Sequence, residues 1–166
     1  MTAPEDFRAA MRRLAAGVCL ITTRAADGSP HGMAASSVVS VTAEPPVLLV
    51  CVNRRASLHA QIGASGHFCV NILGESHASL SRRFSRPEER PLRFADPVWT
   101  TLATGAPALT DALAALDCRL AERVETATHS IFLGEVVALR LGAQPALPLA
   151  WFDGGFRSLA AAAHDG

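Results

Sequence analysis

Asn53, Arg54, Arg55 and Ser57 form a polar group directly after an apolar run. Arginine guanidinium groups make charge-assisted hydrogen bonds to phosphate oxygens. Ser57 precedes a short helical pattern (58–62), so we expect Ser57 to cap the N-terminus of a helix. A helix N-terminus beside two arginines predicts a phosphate site, which we call the corner. A solvated turn is the alternative that residue type alone would favour.

Small side chains and hydroxyl groups alternate with valines over residues 33–42. Such a composition predicts a strand that a flat ligand can approach closely. Ser36 and Ser37 would line that surface, the alternative being ordinary hydrogen bonds from their hydroxyls to the backbone. The chain must turn at Pro45-Pro46, because neither proline has an N–H. The continuous apolar run 47–52 then predicts a second strand, covered on both faces.

The rest of the chain shows mostly strand patterns. Period-two alternation over 116–124 and the run 129–141 predict two long strands, with a bulge at Gly134. Apolar residues at helical spacing over 7–14 predict an opening helix that covers the core. The charged, proline-containing segment 85–97 predicts a functional or mobile loop. Seven or eight strands without a βα rhythm favour an antiparallel barrel.

The composition limits the possible classes of protein. A length of 166 residues predicts one domain, 1–166. Although 49% of the residues are hydrophobic, no apolar run approaches the ~18 residues of a membrane-spanning helix. Fifteen basic and fifteen acidic residues balance, which gives no overall field to attract nucleic acid or anionic membrane. The acidic N-terminus argues against a secretory signal.

The cysteines and histidines give no sign of a metal or disulfide site. Cys19, Cys51, Cys69 and Cys118 sit in apolar runs without a C-x-x-C spacing, so we expect buried thiols and a cytoplasmic protein. The histidines at 59, 67 and 77 lack ligand spacing, so no metal is predicted.

Several catalytic motifs are missing from the sequence. It contains no G-x-G-x-x-G, no P-loop and no G-x-S-x-G. The remaining candidates are hydroxyls, amides and arginines, with few acids or bases. Such a site suits flavin chemistry, because the cofactor carries the hydride and the protein supplies orientation.

Three motifs together resemble the flavin reductase family with the FMN-binding split barrel. This family includes the reductase components of two-component flavin-dependent monooxygenases. The motifs are G-M-A-A-S-S-V at 32–38 followed by P-P at 45–46, C-V-N-R-A-S at 51–57 with its extra arginine, and H-S-I-F-L-G-E-V at 129–136. Ala34 stands where the family usually has threonine, and Ala127 and Thr128 replace a glycine and an aspartate. The resemblance extends over nearly the whole chain.

The resemblance implies a mainly β fold, an antiparallel, Greek-key-like FMN-binding split barrel with a few short helices. It implies a homodimer with flavin near the interface. It also implies an NAD(P)H:flavin oxidoreductase, in which hydride passes from nicotinamide C4 to flavin N5 and reduced flavin reaches a separate oxygenase. FMN or FAD, and NADH or NADPH, remain open. The alternatives are a flavin-carrying electron-transfer protein without nicotinamide turnover and, less favoured, an oxidase resembling pyridoxamine-phosphate oxidases.

The resemblance also assigns roles to residues. It gives none a certain catalytic role, because hydride transfer is carried by the cofactors. It implies nicotinamide binding by His129, which we expect to lie apart from the corner because it belongs to another strand. The residues implied in flavin binding are Met33, Ser36, Ser37, Asn53, Arg54, Ser57, Arg83 and Phe84.

Overall fold

The computed structural model describes residues 3–96, 98–143 and 147–159. Within these ranges the α-helices are α1 (Pro4–Met11), α2 (Ser57–Ser65) and α3 (Ala78–Ser85). Two 3₁₀ helices span Glu75–His77 and Pro87–Leu92. The strands are β1 (Ala16–Gly17), β2 (Cys19–Arg24), β3 (Pro30–Ala35), β4 (Val38–Ala43), β5 (Pro46–Asn53), β6 (His67–Ile72), β7 (Trp99–Thr101), β8 (Pro107–Leu109), β9 (Ala114–Glu125), β10 (His129–Leu141), β11 (Leu149–Phe152) and β12 (Gly155–Ser158).

Seven antiparallel strands form the main sheet, in the order β3-β2-β6-β9-β10-β5-β4. β3 and β4 lie at opposite edges of this sheet, although only Ser36 and Ser37 separate them in the chain. The step from Ala35 to Val38 can span at most about 11 Å, so the two edges must approach each other. The sheet therefore curls into a barrel that is split at Ser36-Ser37, which confirms the predicted fold class. The single strand predicted over 33–42 is wrong, because it breaks at this seam.

The barrel interior holds the largest hydrophobic cluster, which includes Val50, Phe68 and Phe132, each fully buried. Along β5, the inward side chains are buried and the alternate side chains are half-buried. The prediction that this strand is covered on both faces is therefore wrong. Its apolar run is continuous because the outward positions are apolar too.

A second hydrophobic cluster lies outside the barrel, beneath α3. Phe84 is 2% exposed and packs against the rings of Phe94 and Trp99, with centroids at 5.2 and 5.8 Å. A Cβ on Gly32 would lie 2.6 Å from Cε1 of Phe84. Glycine at position 32 thus lets the ring pack directly on the backbone of β3.

The charged segment 85–97 is anchored along most of its length. Arg93 is buried, and its guanidinium lies 5.6 Å from the centre of the Phe84 ring. It donates hydrogen bonds to the carbonyls of Gly32 (2.8 Å), Arg86 (3.1 Å) and Arg83 (3.4 Å). The segment predicted as a functional or mobile loop thus contains a 3₁₀ helix and is held by Arg93; position 97 lies outside the described residues.

The opening helix does not cover the core. No residue of α1 is buried, and Phe7 and Leu14 are 61% and 62% exposed. Helical periodicity showed that an apolar face exists. It could not show whether the same chain supplies a surface for that face.

Three of the four cysteines are buried, as predicted, and Cys51 is half-buried. All four are free thiols. Desolvation by burial raises the pKa of the Cys19 and Cys118 thiols to about 12, with Asp117 adding to the effect at Cys118. Among the described helices, none is long and apolar enough to cross a membrane.

Gly134 lies at a register shift between β9 and β10, which agrees with the predicted bulge. A Cβ at this position would lie 2.5 Å from Cζ of Phe68 and 2.8 Å from Cβ of Cys118. We expect Gly134→Ala to lower the free energy of unfolding by about 1–3 kcal/mol, because the barrel interior has no room for the methyl group. Denaturant unfolding measures the change.

Gly17→Ala is the matched control. No heavy atom lies within 4 Å of a Cβ built at Gly17. Equal losses for the two variants would contradict a steric cause and point to a general intolerance of alanine.

Candidate functional site

The corner begins at Asn53, the last residue of β5, and so lies at the end of the strand that the sequence predicts. The side-chain oxygen of Asn53 accepts the Arg55 N–H at 2.9 Å, and its carbonyl accepts the Ala56 N–H at 2.9 Å. These two bonds fold the chain into the turn that leads to α2. Ala56 is the N-cap residue and no side chain caps the helix, so the prediction of Ser57 as the cap is wrong. Ser57 is instead the first, exposed residue of the helix, where backbone N–H groups lack intrahelical partners.

The turn between β9 and β10 lies beside the corner. The Arg54 N–H donates to the Thr128 carbonyl at 3.0 Å, and the Arg54 guanidinium lies 3.8 Å from the Glu125 carboxylate. His129 pairs directly with Asn53 across the two strands. The imidazole of His129 is exposed, with Nδ1 hydrogen-bonded to the Thr128 hydroxyl at 2.8 Å. The expectation that His129 lies apart from the corner is wrong.

His59 supports the corner from behind. Its Nε2 is 2.8 Å from the hydroxyl of the buried Ser130, and its ring meets Phe132 edge-on at 5.2 Å. Burial lowers the pKa of His59, and the positive charges of Arg123 and Arg54 lower it further. The neutral form of the His59 imidazole is thereby favoured.

A cleft opens at the seam of the barrel, with an empty volume of about 410 Å³. One wall comes from β3 and the residue after it, a second from α3, and a third from the β11–β12 hairpin. The residues on these walls are Val18, Ala34, Ala35, Ser36, Ser81, Ser85, Trp151 and Phe156. The side chains of the first wall are small, as the sequence analysis expects for a surface that a flat ligand approaches closely.

Ser36 and Ser37 have different surroundings. Ser36 lines the cleft and is exposed. The Ser37 hydroxyl donates to the Cys51 carbonyl at 3.1 Å, and the Cys51 N–H donates to the Ser37 carbonyl at 3.1 Å. The alternative of an ordinary backbone hydrogen bond thus describes Ser37. Its bonds join the cleft to β5, two residues before Asn53.

Three further residues implied in flavin binding, Met33, Arg83 and Phe84, contribute a side chain to neither the cleft nor the corner. Met33 packs against the barrel cluster. Phe84 is buried, so helix amphipathicity accounts for it. Arg83 is held by the Asp96 carboxylate at 2.5 Å and by the Leu92 carbonyl at 3.3 Å.

Ser81 and Ser85 also line the cleft, but the sequence analysis did not select them because they belong to none of the recognised motifs. They lie one helical turn apart on α3, and the Ser85 hydroxyl donates to the Ser81 carbonyl at 3.0 Å. Their i, i+4 spacing on the side of the helix that faces β3 is the signal that could have found them.

A family model described as the flavin reductase like domain matches residues 11–160. The chain belongs to the flavin reductase family. An FMN reductase (NADH) RutF from Bradyrhizobium diazoefficiens is 45% identical over 138 residues, which cover 83% of this chain and 76% of that protein.

Two solved structures of flavin reductases are similar along the whole chain. BorF, the flavin reductase component of a bacterial two-component tryptophan halogenase, is 31% identical with a TM-score of 0.86, covering 95% of this chain and 98% of BorF. The NADH:FAD oxidoreductase SgcE6 of Streptomyces globisporus C-1027, solved with NAD and FAD fragments, is 30% identical with a TM-score of 0.87 and 98% coverage of both chains.

The corner of this flavin reductase gives a first test of the site. We expect Arg54→Ala to weaken FMN binding by about one to two decades, because a charge-assisted hydrogen bond is worth roughly 1.5–3 kcal/mol. Riboflavin lacks the phosphate, so its affinity should change little. Fluorescence titration with each ligand measures both constants.

Arg119→Ala, at an exposed site on β9, removes the same charge and should leave both affinities unchanged. Equal losses for FMN and riboflavin in Arg54→Ala would contradict a phosphate contact.

His129 gives a second test. If its imidazole contacts the nicotinamide dinucleotide, His129→Ala should raise KM for NADH and lower kcat/KM by one to two decades, about 1.4–2.7 kcal/mol. Flavin affinity should stay near the wild-type value, because Asn53 keeps its own bond to Arg55. Steady-state kinetics, flavin titration and thermal melting of this variant distinguish a binding role from a surface or a structural role. Unchanged kinetics would show that His129 is a surface residue without a role in binding. A loss of flavin affinity together with a lower Tm would show that its role is structural.

Proposed function

We propose that this chain is an NADH-dependent flavin reductase that passes reduced flavin to a separate monooxygenase component. The observation that carries the proposal is the cleft at the barrel seam, connected through Ser37 to a corner rich in arginine. The chain's membership of the flavin reductase family supports the same reaction. So do its similarity to relatives named FMN reductase (NADH) and its similarity to a reductase component of a two-component system.

The residues present fit a flavin. The cleft walls at Ala34 and Ala35 are small enough to admit a flat ring, and the Ser36 hydroxyl is exposed at the edge of the cleft. The corner offers the Arg54 guanidinium and the first amides of α2 to a phosphate. When bound, the flavin would supply the redox chemistry, because its N5 accepts the hydride that nicotinamide C4 donates.

The protein's part in this reaction is positioning. Rigid strands hold the cleft walls, since β3 is packed on one side against Phe84 and on the other against the barrel core. A corner anchored through Asn53 fixes the phosphate end, and the exposed His129 stands beside it. Alignment of two reactants in such a frame can account for much of a rate enhancement without an acid or a base.

Aerobic oxidation of NADH and of NADPH, with and without FMN, FAD or riboflavin, tests the function. We expect rapid NADH oxidation that depends on added flavin and is greatest with FMN. A yellow protein that oxidises neither nicotinamide would overturn the reductase and favour a flavin-carrying electron-transfer protein.

We also propose that the protein acts as a homodimer. Apolar side chains line up on the outer face of the barrel, where Val39 pairs with Leu49 and Leu49 with Leu133 across three strands. Val39 is 55% exposed, although a sheet face in water normally carries polar residues. Asn53 and His129 point to this same face, at its rim. A second copy seated on the face would bring the corner to the interface.

Leu133→Glu should convert the dimer to a monomer, because it places a charge within the apolar row. Flavin affinity should fall in the same variant, since the site adjoins the interface. Light scattering and flavin titration measure the two effects, with Glu135→Gln on the same strand as the control. A monomer that keeps full flavin affinity would contradict a site that depends on the interface.

Two broader assignments belong to this proposal. The chain acts as one domain over 1–166, because a single barrel core and its flanking cluster account for most of its buried residues. The protein works in the cytoplasm, where four free thiols stay reduced.

A further inference from the structure

A second depression opens beside the cleft and has an empty volume of about 660 Å³. Arg82 and Arg86 line one side, and the β11–β12 hairpin, with Trp151 and Phe156, lines the other. We call it the arginine trough. Ser85, Trp151 and Phe156 line the cleft as well, so the two depressions adjoin each other.

The two arginines are available to an anion. The Arg82 guanidinium lies over the Phe156 ring, 5.1 Å from its centre, and no carboxylate of the described residues lies within 4.0 Å of it. Arg86 pairs with Glu89 at 2.9 Å, but its side chain is 58% exposed, and such surface pairs exchange readily for a stronger partner. Contact with the Phe156 ring holds Arg82 in place, while its N–H groups can still donate hydrogen bonds.

The opposite side of the trough suits a planar base. Trp151 is 38% exposed and meets Phe156 edge-on at 5.2 Å, so an aromatic surface remains open. Gly154 has φ of +75°, and no heavy atom lies within 4 Å of a Cβ built there. The backbone of the hairpin turn is therefore open to close approach. Arginines facing aromatic rings form a recognition surface for nucleotides that carry phosphate.

The position of the trough selects between two dinucleotides. The cleft meets the corner through Ser36-Ser37 and meets the trough through Trp151 and Phe156. If the flavin is FAD and its phosphate lies at the corner, its adenylate would extend from the corner, away from the trough. A nicotinamide that meets the flavin ring in the cleft would extend its adenylate toward the other end. Building on the proposed function, we propose that the arginine trough binds the adenosine diphosphate half of NADH.

The double variant Arg82→Ala/Arg86→Ala tests this assignment, and both side chains are exposed, so the fold should persist. We expect KM for NADH to rise about 10- to 100-fold, in proportion to the loss of charge-assisted hydrogen bonds. Reduced nicotinamide mononucleotide lacks the adenosine diphosphate half, so its KM should be the same in the variant and the wild type. Calorimetry of ADP-ribose with the flavin-free protein should show a comparable loss of affinity.

Arg90→Ala is the charge-matched control, because Arg90 lies on the neighbouring 3₁₀ helix but does not line the trough. It should leave KM for NADH and the affinity for ADP-ribose unchanged.

Three results would overturn the assignment. The first is an equal rise in KM for NADH and for the mononucleotide, and the second is a loss of FAD affinity with an unchanged KM for NADH. The third is a wild-type protein that does not bind ADP-ribose. A wild-type protein that binds ADP-ribose through these arginines but oxidises no NADH would support the trough and overturn the reductase function.

Discussion

The two-residue connection between β3 and β4 is the constraint on which the rest of the structure depends. These strands lie at opposite edges of one sheet, so a short connection forces the edges together. Closure creates the enclosed apolar interior and leaves a seam where backbone and small side chains are open. Ser37, bonded to Cys51, ties that seam to the strand that ends at the corner. The cleft and the corner are thus consequences of one closure.

β5 and β10 each serve three purposes along a single length of chain. Their inward residues fill the barrel, their outward residues form the apolar rows, and Asn53 and His129 meet where β5 ends and β10 begins. A strand with apolar residues on both faces reads in the sequence as fully enclosed. In this protein the second face belongs to the proposed interface between copies, which the isolated chain leaves half-covered.

The sequence predicted what depends on short-range patterns. Strand β10 has the predicted bounds, and the bulge at Gly134 follows from a glycine inside a strand. The break at Ser36 could not be predicted, because serine and valine are compatible with a continuous strand and only long-range pairing separates β3 from β4. The places of Phe84 and Arg83, outside the lining of the cleft, could not be predicted for a similar reason. The helical spacing shows which residues share a face, but the partner that the face meets is decided by the tertiary fold.

The buried Arg93 limits how freely the charged segment around it can be replaced in engineered variants. Its length, charge and prolines suggest a connection that could be exchanged freely between relatives in protein engineering. However, the arginine supplies the donors for three carbonyls, one of them on Gly32 in the wall behind the cleft. A grafted segment without an equivalent cation would leave the Gly32 carbonyl without this buried donor, a penalty of about 1–3 kcal/mol. Segment swaps designed to alter the neighbouring surface must therefore retain this one residue and vary only the solvent side.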